Sequence, residues 1–213
     1  MKICYINFDF YPYRTSGQVK YAEDVCFGMA KNHEVTVITS SKENKLQKEK
    51  IKNLKIIRIP NGKLFSLNWI GFGFRVAKFL QKLDKKENFD IIHFLDAHVA
   101  FAFRGKFIVT AHQSFWQRLT ANGGIPYFSS YKNLFFRLFY YYFSTNLERL
   151  AVKKAQKIIC DSNSTKFDFR RRYHLDNRKV EVINNGIDTA FFSRKKVISL
   201  RKKLGIKKNE KII

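Results

Sequence analysis

Short apolar runs of β type alternate with longer helical stretches from the first residues onward, and this alternation constrains the fold more than any other feature of the chain. Residues 2–8 (KICYINF), 35–39 (VTVIT), 54–59 (LKIIRI), 89–94 (FDIIHF), 106–110 (KFIVT), 156–160 (QKIIC) and 179–183 read as strands. Residues 17–31, 67–86, 130–154 and 162–173 read as helices. In the first of these, Val19, Ala22, Val25, Cys26 and Met29 fall on one face, and Ser162 is placed to cap the last. Strands alternating with helices predict a parallel sheet covered on both faces. Six or seven strands fit a Rossmann-like α/β layered domain whose ligands sit at the carboxyl ends of the strands. The domain is expected to span residues 1–190, followed by a basic connection over 191–213. Within that tail, residues 193–211 read as helical with nine Lys or Arg against one Glu, and Ile212-Ile213 suits the first residues of a further strand.

The length of 213 residues is enough for one compact domain, and 45% hydrophobic with 16% aromatic residues is a globular composition rather than a disordered one. Cys4, Cys26 and Cys160 are odd in number, far apart and outside any CxxC pattern, which argues against a disulfide framework or a zinc site. Asn7, Asp9 and Arg14 interrupt any leader-type apolar run, and no run approaches the roughly 20 residues of a membrane-spanning helix. The expectation is a cytoplasmic protein, or one held peripherally on the inner membrane face. A formal charge of +24 suits nucleic acid, an anionic membrane surface or phosphorylated ligands, and equally a protein that is merely basic. The basic residues are spread along the chain and no nucleic-acid motif appears, so no specific nucleic-acid partner is expected.

Several short segments carry chemistry, each with a plainer alternative. The loop Tyr11-Pro12-Tyr13-Arg14-Thr15-Ser16-Gly17 joins the first strand to the first helix. There, free backbone N–H groups and the positive helix end suit a phosphate, and Gly17 permits close approach. The plainer reading is an ordinary turn. His112 follows the strand at 106–110 directly, at the ligand edge, where an imidazole can relay a proton or bond a sugar hydroxyl. It could equally brace the loop after it. His93, Asp96 and His98 have a spacing that invites a metal, but no second ligand set accompanies them, so no metal is expected and His93 reads as structural. Asn185-Gly186-Ile187-Asp188 reads as turn chemistry, with Asn-Gly able to take positive φ. Residues 134–143 (LFFRLFYYYF) hold one charge in ten; core packing is the first expectation, and partial insertion at a bilayer surface the second.

In this order the segments resemble the GT-B glycosyltransferases of the family-4 type. The opening strand, the loop with Gly17 and the helix leading to His33-Glu34-Val35-Thr36-Val37 are similar to that family's start. Phe89-Asp90-Ile91-Ile92-His93 and Val109-Thr110-Ala111-His112 resemble its next strands, the second ending in the active-site histidine. Ile158-Ile159-Cys160-Asp161-Ser162-Asn163-Ser164-Thr165 and Val182-Ile183-Asn184-Asn185-Gly186-Ile187-Asp188 resemble its later passages. The resemblance implies the acceptor-side half of a two-domain enzyme. That enzyme would move a hexosyl group from a UDP- or GDP-sugar to a glycan or lipid-linked acceptor, with retention of configuration and without a metal or other cofactor.

Carried over, Ser16 and Gly17 would approach the donor diphosphate and His112 would face the reacting sugar. His93, Asn185, Gly186 and Asp188 would line the acceptor side of the cleft. Where the family commonly has two adjacent glycines, Gly17 stands between Ser16 and Gln18. The paired glutamates and basic residues of a C-terminal donor-binding domain are not in this sequence, so the chain by itself is expected to be inactive or nearly so. The alternative is a non-catalytic acceptor-binding or membrane-adaptor subunit of a two-chain transferase.

Overall fold

A strand that is apolar on both sides must be covered on both sides, and the runs of this chain meet that demand by stacking side by side. A computed structural model describes residues 1–13, 16–60, 68–120, 134–187, 189, 204–206 and 210. In chain order the elements are β1 (Lys2–Ile6), α1 (Gly17–Met29), β2 (Glu34–Ser41), β3 (Gln47–Ile51), β4 (Leu54–Pro60), α2 (Asn68–Glu87) and β5 (Ile91–Phe94). There follow β6 (Ile108–Ala111), α3 (Phe115–Thr120), α4 (Leu134–Lys154), β7 (Lys157–Cys160), α5 (Asn163–Tyr173) and β8 (Val180–Val182). A 3₁₀ turn lies at Ala97–Ala100 and another at Asn177–Lys179.

The eight strands form one sheet in the order β3-β4-β2-β1-β5-β6-β7-β8. Every pairing is parallel except β3 with β4, which is antiparallel. The Rossmann-like expectation therefore holds for seven strands, and the eighth is an addition at the edge. β3 (QKEKI) is polar and mostly exposed, so no apolar run announces it. Its lysines suit an edge strand, which they protect from further pairing.

Side chains alternate between the two faces of the sheet. Ile3, Tyr5, Val35, Val37, Leu54 and Ile56 pack on the face covered by α1, with Ala22 and Cys26. Cys4, Ile6, Ile38, Ile57, Ile92 and Phe94 pack on the other, beneath α2, α4 and α5. Fully burying a side chain such as Phe72 or Phe94 contributes about 2–3 kcal/mol. Between the last three helices, the Glu148 carboxylate accepts from the Phe115 backbone N–H at 3.1 Å and from the Tyr173 hydroxyl, tying α3, α4 and α5 together.

Within the stretch at 134–143, residues 138–143 depart in part from the expectation of core packing. Tyr140, Tyr141, Leu147 and Ala151 of α4 face inward, while Leu138, Phe139, Tyr142 and Phe143 are exposed. Among the described residues no helix is long and apolar enough to cross a membrane.

The sheet order reverses at β1 and β5. From these neighbouring strands the chain leaves toward opposite faces, which opens a crevice at their carboxyl ends.

Candidate active-site cleft

The crevice begins with the turn from β1 into α1. Ser16 is the N-cap of α1: its backbone is extended and its Oγ accepts from the Val19 N–H at 3.4 Å. That hydroxyl therefore serves the helix, and the groups left to meet a ligand are the first-turn backbone N–H groups of Gly17 and Gln18. A Cβ built on Gly17 would meet nothing within 4 Å, and Gly17 does not have positive φ. Neither packing nor backbone conformation explains the missing side chain. Open space stands in front of a positive helix end.

One helical turn on, on the same face as Gly17, Tyr21 sets its ring edge-on to that of His112 with centroids 4.8 Å apart. Burial raises the pKa of the Tyr21 phenol, offset in part by a hydrogen bond with Thr110. The phenol is thus a protonated hydroxyl within the site.

His112 and Asp161 are brought together by strand register. Ala111 on β6 pairs with Cys160 on β7, so the next residue of each strand emerges side by side. His112 Nδ1 lies 3.5 Å from Asp161 Oδ2. Thr165 Oγ1 lies 3.0 Å from the His112 carbonyl oxygen and 2.8 Å from Asp161 Oδ1, able to donate its one proton to either from the first turn of α5. Asn184 Nδ2 donates to the Asp161 carbonyl at 3.0 Å.

A carboxylate beside Nδ1 selects the tautomer protonated there, leaving Nε2 as an acceptor. Nε2 is buried and has no hydrogen-bond partner among the described residues. An imidazole oriented by a carboxylate, with its second nitrogen unpaired, can accept a proton or a hydroxyl hydrogen bond. Asp161 and Tyr21 are candidate site groups that sequence reasoning passed over. For Asp161 the available signal was its place one residue beyond a strand, the same place His112 holds.

His93 lies a layer beneath. It is 6% exposed, its Nε2 is 2.8 Å from Thr110 Oγ1, and its ring rests against Tyr5. Burial, aided by the charge of His112, lowers its pKa to about 3, so the imidazole is neutral. It supports the cleft floor through Thr110 and does not itself line the opening.

Asn185 and Gly186 follow β8 as exposed residues, and neither adopts the positive φ that the pair permits. Gly186 has open space around its Cβ position. Asp188 lies outside the described residues, as do Arg14 and Thr15 of the first loop and most of the basic tail. His98 pairs its Nδ1 with Asp96 and packs on Trp69 and Phe115, away from His93. Among the described residues, no group of three or more His, Cys, Asp or Glu side chains is placed to hold a metal ion.

The solved structures similar to this fold are enzymes of sugar transfer. WaaG, a glycosyltransferase involved in lipopolysaccharide biosynthesis, shares 15% identity at a TM-score of 0.65, covering 97% of this chain and 52% of that one. Sucrose-phosphate synthase from Thermosynechococcus elongatus shares 15% at a TM-score of 0.67, covering 98% and 53%. The catalytic domain of starch synthase IV from Arabidopsis thaliana, bound to ADP and acarbose, shares 12% at 0.62, covering 99% and 60%. The chain thus spans about half the length of these three structures. No curated protein matches it in sequence. The family model of Glycosyltransferase Family 4, however, matches residues 15–191, from the first-loop helix through the end of the sheet. With the fold of one half of a GT-B enzyme and the family's pattern along most of its length, the chain belongs to Glycosyltransferase Family 4.

Proposed function

We propose that this chain is the acceptor-side, N-terminal half of a hexosyltransferase that uses a UDP- or GDP-sugar and a glycan or lipid-linked acceptor. Residues 1–190 act as the domain, and 191–213 as a basic connection to a donor-binding half. The acceptor oxygen bonds the anomeric carbon as the bond to the diphosphate oxygen breaks, and the acceptor hydroxyl's proton passes to the nucleoside diphosphate that leaves. Configuration is retained. The N–H groups at Gly17 help neutralise the diphosphate, His112 meets the reacting sugar or acceptor hydroxyl through Nε2, and Asp161 orients it.

The observation that carries this reading is the convergence of an open helix N-terminus with a carboxylate-oriented histidine at the topological switch of the sheet. Relatives that bind ADP or build lipopolysaccharide support it. The test is transfer of radiolabelled hexose from UDP- or GDP-sugars by protein carrying both halves, with glycan and lipid fractions as acceptors. Label should appear in one fraction and should require the donor half. Absence of transfer from every donor, by folded two-domain protein, would sink the proposal.

A second reading is favoured by one surface. The exposed Leu138, Phe139, Tyr142 and Phe143 of α4 precede exposed Arg149 and Lys153 on the same helix. Aromatic and basic groups so arranged suit an anionic membrane face on the cytoplasmic side, where each Lys or Arg contributes on the order of 1 kcal/mol. Such docking is compatible with either a transferase or an adaptor subunit. Co-sedimentation with anionic vesicles, lost in Phe139→Ser/Tyr142→Ser, supports it; equal partition to neutral and anionic vesicles rejects it.

A further inference from the structure

Beyond the cleft, α3 and α5 enclose a separate cavity of about 450 Å³ lined by Trp116, Phe167, Asp168, Arg171, Arg172 and His174. Three of the six side chains carry or can carry positive charge. The Arg172 guanidinium lies over the Trp116 ring at 3.7 Å from its centroid, and its Nε is buried with no hydrogen-bond partner among the described residues. Phe167 is 65% exposed, a large apolar surface at the cavity wall. Asp168 is the one acidic lining residue, and its Oδ2 accepts from Ser114 Oγ at 2.6 Å.

A plainer account is available for part of this. Arg170, Arg171 and Arg172 form the last turn of α5, where cations offset the negative end of the helix dipole. That explains basic residues at this end. It does not explain a guanidinium laid on an indole with a donor left unpaired, nor an exposed phenyl ring beside it.

The chemistry is that of a phosphorylated sugar. Guanidinium groups bind phosphate oxygens through paired, charge-assisted hydrogen bonds, and do so more strongly where an aromatic ring fixes their plane. A carboxylate oxygen beside them accepts a hydroxyl, and aromatic walls take an apolar sugar face. The cavity also adjoins the proposed reaction site. Ser114 and Trp116 follow His112 closely, and Thr165, which holds the His112 carbonyl, precedes Phe167 by half a turn of α5.

We propose that the α3–α5 cavity binds a phosphomonoester on a sugar, with Arg171 and Arg172 taking the phosphate and Asp168 a hydroxyl. Its use in holding a phosphorylated acceptor rests on the transferase reading above; the binding itself does not.

The experiment is calorimetric titration of the full chain with glucose 6-phosphate, with glucose as the uncharged probe, and flotation with phosphatidylcholine vesicles containing phosphatidic acid. Arg171→Gln, which removes an exposed guanidinium, is the main variant, and Arg172→Gln with a thermal melt is the second. Lys82→Gln, exposed on α2, controls for the general charge of the chain. Glucose 6-phosphate should bind, glucose should not, and Arg171→Gln should weaken binding by about tenfold or more while Lys82→Gln leaves it unchanged. Binding confined to the phosphatidic acid vesicles, yet still dependent on Arg171, assigns the same cavity to a lipid-borne phosphate. Equal binding by wild type and Arg171→Gln, equal loss in Lys82→Gln, or binding of neither probe overturns the proposal. Because these readouts need no transfer, failure here and failure of hexose transfer are separate results.

Discussion

His93 and His112 stand on neighbouring parallel strands and come from nearly identical sequence settings, each at the end of an apolar run, yet the fold gives them opposite roles. His93 is sealed beneath the cleft, bonded to Thr110 and held neutral by burial. His112 is one step beyond its strand, 19% exposed at the side chain, with a carboxylate at one nitrogen and no described residue bonded to the other. The difference is a matter of register. His93 stands opposite Ile108, four residues before His112: within the pleat an imidazole becomes part of the floor, and one residue past the strand end it meets Asp161 and Tyr21.

The largest expected effect tests the floor. Because the folded pKa of His93 is about 3 against an ordinary 6.5, the unfolded chain takes up a proton that the folded chain refuses. Stability is therefore full above the unfolded value, starts to fall as pH drops through 6.5, and goes on falling toward 3. At the full slope of about 1.4 kcal/mol per pH unit, the loss between pH 7 and pH 4 is on the order of 3 kcal/mol. Urea unfolding of wild type and His93→Gln at both pH values isolates it, since other groups contribute to both proteins alike. An identical pH dependence in the two would show that His93 is not held neutral.

The lip of the cleft should respond in rate rather than stability. In protein carrying both halves, His112→Ala should lower kcat by about 100-fold, equivalent to roughly 2.7 kcal/mol, with little change in urea midpoint. Normal turnover would remove His112 from the site. Asp161→Asn keeps the oxygen that Thr165 uses but removes the charge beside Nδ1, and should lower kcat about tenfold, near 1.4 kcal/mol. A rate as low as that of His112→Ala would mean that Asp161 does more than orient the ring.

How much of this contrast was readable in the sequence depends on the range of the interactions. The strands at β1, β2, β4, β5, β6 and β7 announce themselves because an apolar β-branched run is a local property. α5 does so through Ser162, whose Oγ accepts from the Thr165 N–H as an N-cap should. β3 was silent, since QKEKI has no buried face and is held only by its hydrogen bonds to β4. Asn185-Gly186 permits positive φ without requiring it, and neither residue adopts it. α4 looked apolar all round in sequence, and only its neighbours decide which ridge is covered. His112 and Asp161 each stand one residue beyond a strand, but their pairing was not legible, because the β6–β7 register that joins them spans α3, α4 and the segment between.

The smallest effect is the most selective. Gly17 differs from both histidines in having no contact to lose: a Cβ there meets no atom within 4 Å, and its φ is open to any residue. Gly17→Ala should therefore leave the urea midpoint within about 0.5 kcal/mol of wild type, as changes away from packed or strained sites do. If a diphosphate comes up against the first turn of α1, the added methyl should still weaken nucleotide-sugar binding to the two-domain protein by roughly fivefold, on the order of 1 kcal/mol. Loss of affinity without loss of stability would show that the empty space is kept for the ligand. Unchanged affinity would make it incidental, and would move the phosphate contact elsewhere while leaving His112 and Asp161 where the register places them.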